Sequence, residues 1–210
     1  MLAPFGPFRG LILTAAVAAA LCACAPAKVV KEWSDPARSG PGYKKLLVMG
    51  IWDEARPRRV FEDRFVTEIR AVGVAAMPSY QFIPQDGRVS REVVIKAVDE
   101  SGADAVIITR LMGRQETSRV YASDRLQYGE GAMVDVNGAY AISWAGFYTP
   151  PEESNDTVWT METKVFDAKS RGLVWNGVTA VNDPKNLQKG STALAQAVVK
   201  TLTAKKMLQP

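Results

Sequence analysis

The chain has 210 residues, of which 47% are apolar and 23% charged, and its formal net charge is +4. This length suits a single domain, and the apolar share excludes a disordered chain, a collagen and a coiled coil. The sequence contains no histidine. Mechanisms that use an imidazole base are therefore excluded, together with most zinc, copper and haem sites.

Residues 1–23 have the layout of a secretory signal peptide. Arg9 precedes an apolar run from Leu11 to Ala23, which is too short for a membrane span but typical of an exported leader. The sequence Leu21-Cys22-Ala23-Cys24 resembles the bacterial lipobox. The resemblance implies that Cys24 receives a diacylglyceryl group, that the peptide before it is cleaved, and that the new N-terminus is acylated. The alternative is an ordinary cleaved signal peptide with incidental cysteines.

The residues around Cys24 also indicate where the protein is anchored and what it lacks. Ala25, which follows the cysteine, resembles the pattern for sorting to the outer membrane, so we expect a lipid anchor on its periplasmic face. Cys22 and Cys24 are the two cysteines of the chain, so the processed protein has no disulfide and no free thiol for catalysis or metal binding. We expect no cofactor and no metal. The small positive charge suits anionic lipid head groups or peptidoglycan but is too small to indicate nucleic acid.

Residues 24–43 are predicted to be the lipidated cysteine and a flexible tether. The segment contains three prolines and two glycines and shows no periodicity, which is typical of a linker with a reach of roughly 25 Å. Val29, Val30 and Trp33 are too apolar for a pure linker, and they are expected to pack back on the domain.

The globular domain is predicted over residues 44–210, and its first half alternates strands and helices. Apolar runs predict strands over 46–51, over 74–83 with a break near Pro78, and from residue 105 onward. A helix that begins near Pro57 is predicted from an apolar stripe, with charged residues, Glu62 among them, covering the rest of its surface. The stripe consists of Phe61, Phe65, Ile69 and Val72. Ser90 and Gly102 are predicted to delimit a second helix.

The second half predicts a hairpin and a terminal helix. Strand-like runs over 158–166 and 173–181 flank a turn rich in Asp, Ser and Gly. Residues 187–208 carry an apolar stripe at helical spacing. The sequence therefore predicts one α/β (α+β) domain in which about three helices pack on a mixed β-sheet, in the order β-α-β-α-β-(β hairpin)-β-β-α.

Two local motifs extend this pattern to a known group of proteins. They are Ser-Gly-Ala-Asp-Ala-Val-Ile-Ile over 101–108 and Asp-x-x-Ser-x-x-Leu-Val-Trp over 167–175. With the lipobox cysteine and the order of elements, the chain resembles Gram-negative periplasmic lipoproteins. Their better-known relatives of similar fold are the N-terminal domain of the Tol translocation protein, the curli secretion lipoprotein and the lipoprotein activators of penicillin-binding proteins. The resemblance implies a role in the cell envelope.

Three arginines, Arg56, Arg58 and Arg59, stand at the entry of the first predicted helix. Guanidinium groups at a helix N-terminus are suited to bind a phosphate or a carboxylate. The alternative is a solvated surface on which neighbouring acidic residues neutralise all three. Those acidic residues are Asp53, Glu54, Glu62 and Asp63.

A second candidate site is the segment 122–150, in which aromatic residues alternate with glycines. Tyrosine and tryptophan dominate binding hot spots, so this segment is a candidate surface for a partner protein. The alternative is that residues 132–145 form further strands whose aromatic side chains fill the core. The candidate contact residues are Tyr128, Tyr140, Trp144, Phe147 and Tyr148.

Together these observations favour a lipid-anchored periplasmic binding or assembly factor of the cell envelope that is not an enzyme. Its expected partners are the membrane lipid, through acylated Cys24, and an envelope protein. One alternative is a hydrolase of the cell wall or of a glycan, which would need two carboxylates about 5–10 Å apart across a cleft. A second alternative is a homo-oligomeric component of a secretion or assembly system.

Overall fold

The computed structural model of the protein describes residues 27–115, 138, 158–182 and 186–210. The strands are β1 (Ala27–Ser34), β2 (Lys45–Gly50), β3 (Ala75–Pro78), β4 (Ala105–Gln115), β5 (Val158–Asp167) and β6 (Leu173–Asn182). The α-helices in the described ranges are α1 (Ala55–Ala71), α2 (Arg91–Ser101) and α3 (Leu187–Ala204), and a 3-10 turn spans Ser79–Gln81.

The six strands form one mixed sheet in the order β1-β6-β5-β4-β2-β3. Strand β2 pairs in parallel with β3 on one side and with β4 on the other, whereas the remaining neighbours are antiparallel. The predicted fold, a mixed sheet with three helices in one α+β domain, is confirmed over the described residues. The predicted strand over 74–83 ends at Pro78, where the 3-10 turn begins.

The segment predicted to be a tether forms an edge strand over most of its first half. Strand β1 pairs antiparallel with β6, from Ala27 opposite Val181 to Ser34 opposite Trp175. Ala27 is buried, and Val29 packs against the core, so the strand is held by apolar contacts as well as by backbone hydrogen bonds. A register shift at Val30 interrupts the alternation of apolar and polar residues. The sequence therefore lacks the regular alternation that predicts a strand.

Each face of the sheet is covered by different helices. Leu46 and Val48 of β2 pack on the side of α1 and α3, whereas Leu47 and Met49 pack on the side of α2. All four are at most 1% exposed, because a strand in the middle of a sheet that is covered on both faces needs a continuous apolar run. The side of α1 and α3 is called face one below, and the side of α2 face two.

The connections around β2 create a reversal of strand order. Helix α1 leads from β2 to β3 across face one, and α2 leads from β3 to β4 across face two. The carboxyl ends of β2 and β4 lie side by side, and the described strands that follow them, β3 and β5, lie on opposite sides of this pair. Open α/β sheets bind ligands at such a point.

Candidate functional site

A cleft of about 330 Å³ lies at the carboxyl ends of β2 and β4, where the strand order reverses. Its walls come from the β2–α1 loop, the start of α1, the far half of β4, the start of β5 and the first residue of α3. Most of them are apolar, and two are tryptophans. The described residues that line it are Trp52, Asp53, Glu54, Pro57, Leu111, Trp159, Met161 and Leu187.

One wall of the cleft is fixed by stacked aromatic rings. The Trp52 ring centroid lies 4.5 Å from that of Phe61, which in turn lies 4.9 Å from that of Phe65. Both phenylalanines are fully buried. A Cβ atom at Gly50 would stand 2.7 Å from the Trp52 ring and 2.9 Å from the Phe61 ring. The glycine at the end of β2 therefore permits the indole to fold over the strand.

The rim of the cleft is acidic. Asp53 and Glu54 are exposed in the loop that leads into α1, where negative charge is favoured by the helix dipole. Aromatic walls with carboxylates at the rim suit a ligand that has an apolar surface and also hydrogen-bond donors or positive charge.

The cleft rests on a buried network around Glu62, which we predicted to face solvent. The carboxylate is 0% exposed. Its Oε1 accepts hydrogen bonds from the Gly50 amide at 3.0 Å, from Arg58 Nε at 3.0 Å and from Ser79 Oγ at 2.7 Å, and its Oε2 accepts one from the Tyr80 amide at 3.1 Å. Burial raises the pKa of Glu62, against the opposing charge of Arg58 and these hydrogen bonds. The sealed carboxyl ties α1 to the end of β2 and to the 3-10 turn.

The structure does not bring the three predicted anion-binding arginines together. Arg58 is 4% exposed, and it donates to Glu62, to Ser79 Oγ at 2.8 Å and to the Gln85 carbonyl at 2.8 Å. It is therefore part of the buried network and is not available to an anion from solution. Arg56 and Arg59 are exposed, and anion binding by these two stays a prediction.

Arg59 is partnered by an aromatic ring. Its guanidinium carbon lies 5.6 Å from the centre of the Tyr80 ring. The Tyr80 hydroxyl donates to Asp63 Oδ1 at 2.7 Å, and this hydrogen bond is the main cause that raises the pKa of Tyr80 to about 12. Of the acidic residues that were expected to neutralise the arginines, Glu62 pairs with Arg58, but in the core and not on a solvated surface, and Asp63 bonds to Tyr80.

Sequence reasoning missed a buried cluster of charges on face two, formed by Arg110, Glu162 and Lys164. Glu162 Oε2 accepts from Arg110 Nε at 2.7 Å and from Lys164 Nζ at 3.1 Å, and all three residues are at most 5% exposed. Arg110 Nη2 is buried without a hydrogen-bond partner. The signal was present in the sequence, because Glu162 and Lys164 stand two residues apart in the middle of a predicted strand and must share one face.

The lowered pKa of Glu162 shows which effect dominates in this cluster. Burial pushes the pKa upward, but the charges of Lys164 and Arg110 and their hydrogen bonds outweigh burial. The cluster lies on the opposite face of the strands that supply Leu111 and Met161 to the cleft.

A larger depression of about 770 Å³ lies at the other end of the sheet, and it is shallow and open. Its polar groups bond to one another: Tyr43 Oη donates to Asp167 Oδ2 at 3.2 Å, and Arg38 lies over the Tyr43 ring. The Asp104 carboxylate accepts from the amides of Lys44 and Lys45. In these contacts the polar groups are already bonded within the protein. The smaller cleft is therefore the better candidate site.

The remaining predicted site residues, Cys24, Tyr128, Tyr140, Trp144, Phe147 and Tyr148, lie outside the described residues. Within the described ranges no group of three or more His, Cys, Asp or Glu residues is arranged to hold a metal ion. The helices described there are all too short or too polar to cross a bilayer.

A scan against protein-family models found no match, and no curated protein matches the chain. Among solved structures the chain is similar to PelC from Paraburkholderia phytofirmans, crystallised as a dodecamer. One PelC structure has 13% identity and a TM-score of 0.45, with 87% of this chain and 98% of that chain covered. A single-substitution variant has 15% identity and a TM-score of 0.44, with 85% and 96% covered. Similarity at this level carries no argument about function.

Proposed function

We propose that the protein is a lipid-anchored, periplasmic binding or assembly factor of the bacterial cell envelope, without catalytic activity, which captures an envelope partner in the cleft. The observation that carries the proposal is the cleft itself, where two tryptophans and an acidic rim converge at the reversal of strand order. The lipobox-like sequence at Cys24 supports the anchor.

The position of the anchor supports a partner close to the membrane. Strand β1 begins at Ala27, three residues after Cys24, and three residues span at most about 10 Å. Ala27 pairs with Val181, and Val181 pairs with Trp159, so Ala27 and Trp159 stand two strand spacings apart, about 10 Å. An acyl chain on Cys24 would therefore hold the cleft within about 20 Å of the bilayer surface.

Glu62 weighs against the hydrolase alternative. A glycosidase requires an acid with a raised pKa that reaches the substrate, and within the described ranges Glu62 is the carboxylic acid whose pKa is raised. It is fully buried and bonded to α1, β2 and the 3-10 turn. Asp53 and Glu54, the carboxylates that the described residues contribute to the cleft, are neighbours in one loop and do not stand on opposite walls.

Site-specific photo-crosslinking in intact cells tests the proposal. A photoreactive residue replaces Leu187 at the rim of the cleft, and the matched control replaces the exposed Glu100 at the end of α2. We expect one dominant envelope protein crosslinked from position 187 and not from position 100. Adding Trp159→Ala should reduce its yield roughly 30-fold or more, as expected for the loss of a tryptophan hot spot.

Other outcomes of the same experiment contradict parts of the proposal. Equal crosslinking from both positions would remove the cleft from the interface, and ladders of the protein with itself would support the homo-oligomeric alternative. In a separate assay, glycan cleavage by the purified protein would support the hydrolase alternative. The anchor is tested separately: Cys24→Ala should be released or remain unprocessed, and membrane retention of a processed Cys24→Ala protein would refute lipidation.

A further inference from the structure

We infer that strand β1 is a membrane-docking strand whose exposed side chains lie on the phospholipid head groups of the membrane that holds the protein: Lys28, Lys31 and Trp33 on one face, and Val30 at the register shift. The inference rests on the proposed lipid anchor at Cys24, because the anchor is what brings β1 to the bilayer.

The exposed apolar side chains on β1 are the first observation. Val30 is 45% and Trp33 46% exposed, and they are the large hydrophobic residues that the described part of the chain leaves exposed. Single exposed hydrophobic residues are common on soluble proteins, but these two share one strand. Tryptophan is the residue most typical of the interface between lipid and water.

The register of β1 places positive charge beside them. Lys28, Lys31 and Trp33 pair with Ala180, Val178 and Asn176 of β6. These partners alternate along β6, so the three β1 residues lie on one face of the sheet, face two. Val30 occupies the register shift between Val29 and Lys31. The lysines and Trp33 are exposed, which gives the strand a cationic and aromatic surface.

The one acidic residue of β1 is withdrawn from this surface. Glu32 pairs with Gly177 and faces the other side, where its Oε2 accepts from Trp175 Nε1 at 3.1 Å and its Oε1 lies 3.0 Å from Lys205 Nζ. The exposed face of β1 therefore carries lysines without a carboxylate of the same strand. Such a surface is complementary to anionic head groups, and its attraction falls off within a Debye length.

The small number of residues between Cys24 and β1 favours the bilayer as the partner. Lys28 is four residues and Trp33 nine residues after Cys24, so they lie within about 14 Å and about 30 Å of the acylated cysteine. Only two residues, 25 and 26, lie between Cys24 and the first residue of β1, Ala27. The strand can thus lie along the membrane surface with its first residue next to the anchor.

A second copy of the chain is the competing occupant, since β1 is an edge strand and edge strands can pair with one another. Lysines and irregularities in register are the features that protect edges from such pairing. Strand β1 has both, with Lys28, Lys31 and the shift at Val30. The bilayer is therefore favoured over self-pairing.

The test uses the full, processed protein in vesicles that contain anionic phospholipid. Trp33→Cys is labelled with an environment-sensitive fluorophore, and Lys200→Cys, exposed on α3 on the opposite face, is the matched control. Val30→Cys is a second position on the docking strand. We expect a blue-shifted emission at positions 33 and 30, and quenching by nitroxide-labelled lipid at least several-fold stronger than at position 200. Replacing Lys28 and Lys31 by Gln should reduce both effects.

Three outcomes decide the matter. Equal, weak quenching at positions 33 and 200 in an anchored protein would overturn the inference. A fluorescence change that depends on protein concentration, not on lipid composition, would overturn it in favour of self-pairing. Lipidated wild-type protein has no free thiol and should take no label. If the wild type does take label, the proposed anchor fails, and this failure is distinguishable from failure of the docking strand.

Discussion

Replacing Glu162 by Gln tests how strongly the buried charge cluster depends on this carboxylate. The carboxylate is 5% exposed and lies 2.7 Å from Arg110 Nε and 3.1 Å from Lys164 Nζ. At an effective dielectric constant of about 20, the two attractions have gross magnitudes of about 6 and about 5 kcal/mol before the cost of burial is subtracted. An amide keeps the shape and one acceptor, but it removes the negative charge that both cations contact.

We expect Glu162→Gln to lower the free energy of unfolding by about 3–5 kcal/mol, the usual cost of removing one partner from a buried ion pair. For a domain of this size the melting temperature should fall by about 2–4 °C for each kcal/mol. Urea unfolding of the detergent-solubilised protein, followed by far-ultraviolet circular dichroism, measures the change. The m-value should stay the same if only the folded state is affected.

Two variants make the result interpretable. Glu100→Gln removes the carboxylate of an exposed pair, 3.6 Å from Lys96 Nζ, and it should change stability by less than about 1 kcal/mol. The double variant Glu162→Gln with Lys164→Met also removes one of the two buried cations that contact Glu162, and it should be more stable than the single variant. If Glu162→Gln costs no more than Glu100→Gln, the view that the cations depend on Glu162 is refuted.

The stability difference between the wild type and Glu162→Gln should depend on pH. Because the folded state lowers the pKa of Glu162, its ionised form contributes stability that is complete above the pKa of an unfolded glutamate, about 4.3. That contribution is lost as the pH falls through the folded pKa. The difference in stability between the wild type and Glu162→Gln should therefore shrink on acidification below about pH 4.3. A difference that stays constant down to pH 2 would contradict this reasoning.

Two further predictions concern other parts of the fold. Gly177→Ala should destabilise the protein by about 1–3 kcal/mol or more, because the new Cβ would overlap Cη2 of the fully buried Trp175 ring and lie 2.5 Å from its Cζ2. Thermal unfolding measures this loss, and Gly172→Ala, whose Cβ would meet only Ser170 Oγ at 3.4 Å, should leave the melting temperature nearly unchanged. Tyr80 should ionise near pH 12 in an alkaline absorbance titration, and Asp63→Asn should shift its pKa back toward about 10, the ordinary value. If the pKa of Tyr80 stays near 12 in the Asp63→Asn protein, the hydrogen bond is not the cause of the raised pKa. The Tyr80→Phe protein identifies the absorbance change that belongs to Tyr80.

The local sequence was sufficient to predict most strands and helices. The apolar run of β2 and the β5–β6 hairpin follow from residues that are close in the chain, and the predicted turn chemistry is confirmed by the Ser170 amide, which donates to Asp167 Oδ1 at 2.7 Å. Strand β1 could not be predicted in this way. Its partner β6 lies near the other end of the chain, and the shift at Val30 hides its period of two.

The site was less predictable because its residues converge only in the folded protein. Trp52 and Trp159 come from opposite halves of the chain and meet at one end of the sheet. Glu62 follows Phe61 on α1, so the buried surface of the helix is wider than the phenylalanine stripe alone, and the carboxylate enters it. Only the structure shows whether a charged residue at the border of an apolar stripe faces solvent or the core.

Strand β1 is the first strand of the sheet in the sequence, but its partner β6 is synthesised late. Val181, the partner of Ala27, follows nearly the whole of the domain. If the chain is exported from its N-terminus, the residues next to Cys24 stay unpaired until β6 has emerged on the far side of the membrane. During that interval the enzymes that attach lipid and cleave the leader would meet an extended peptide, which the sheet later takes up as its edge.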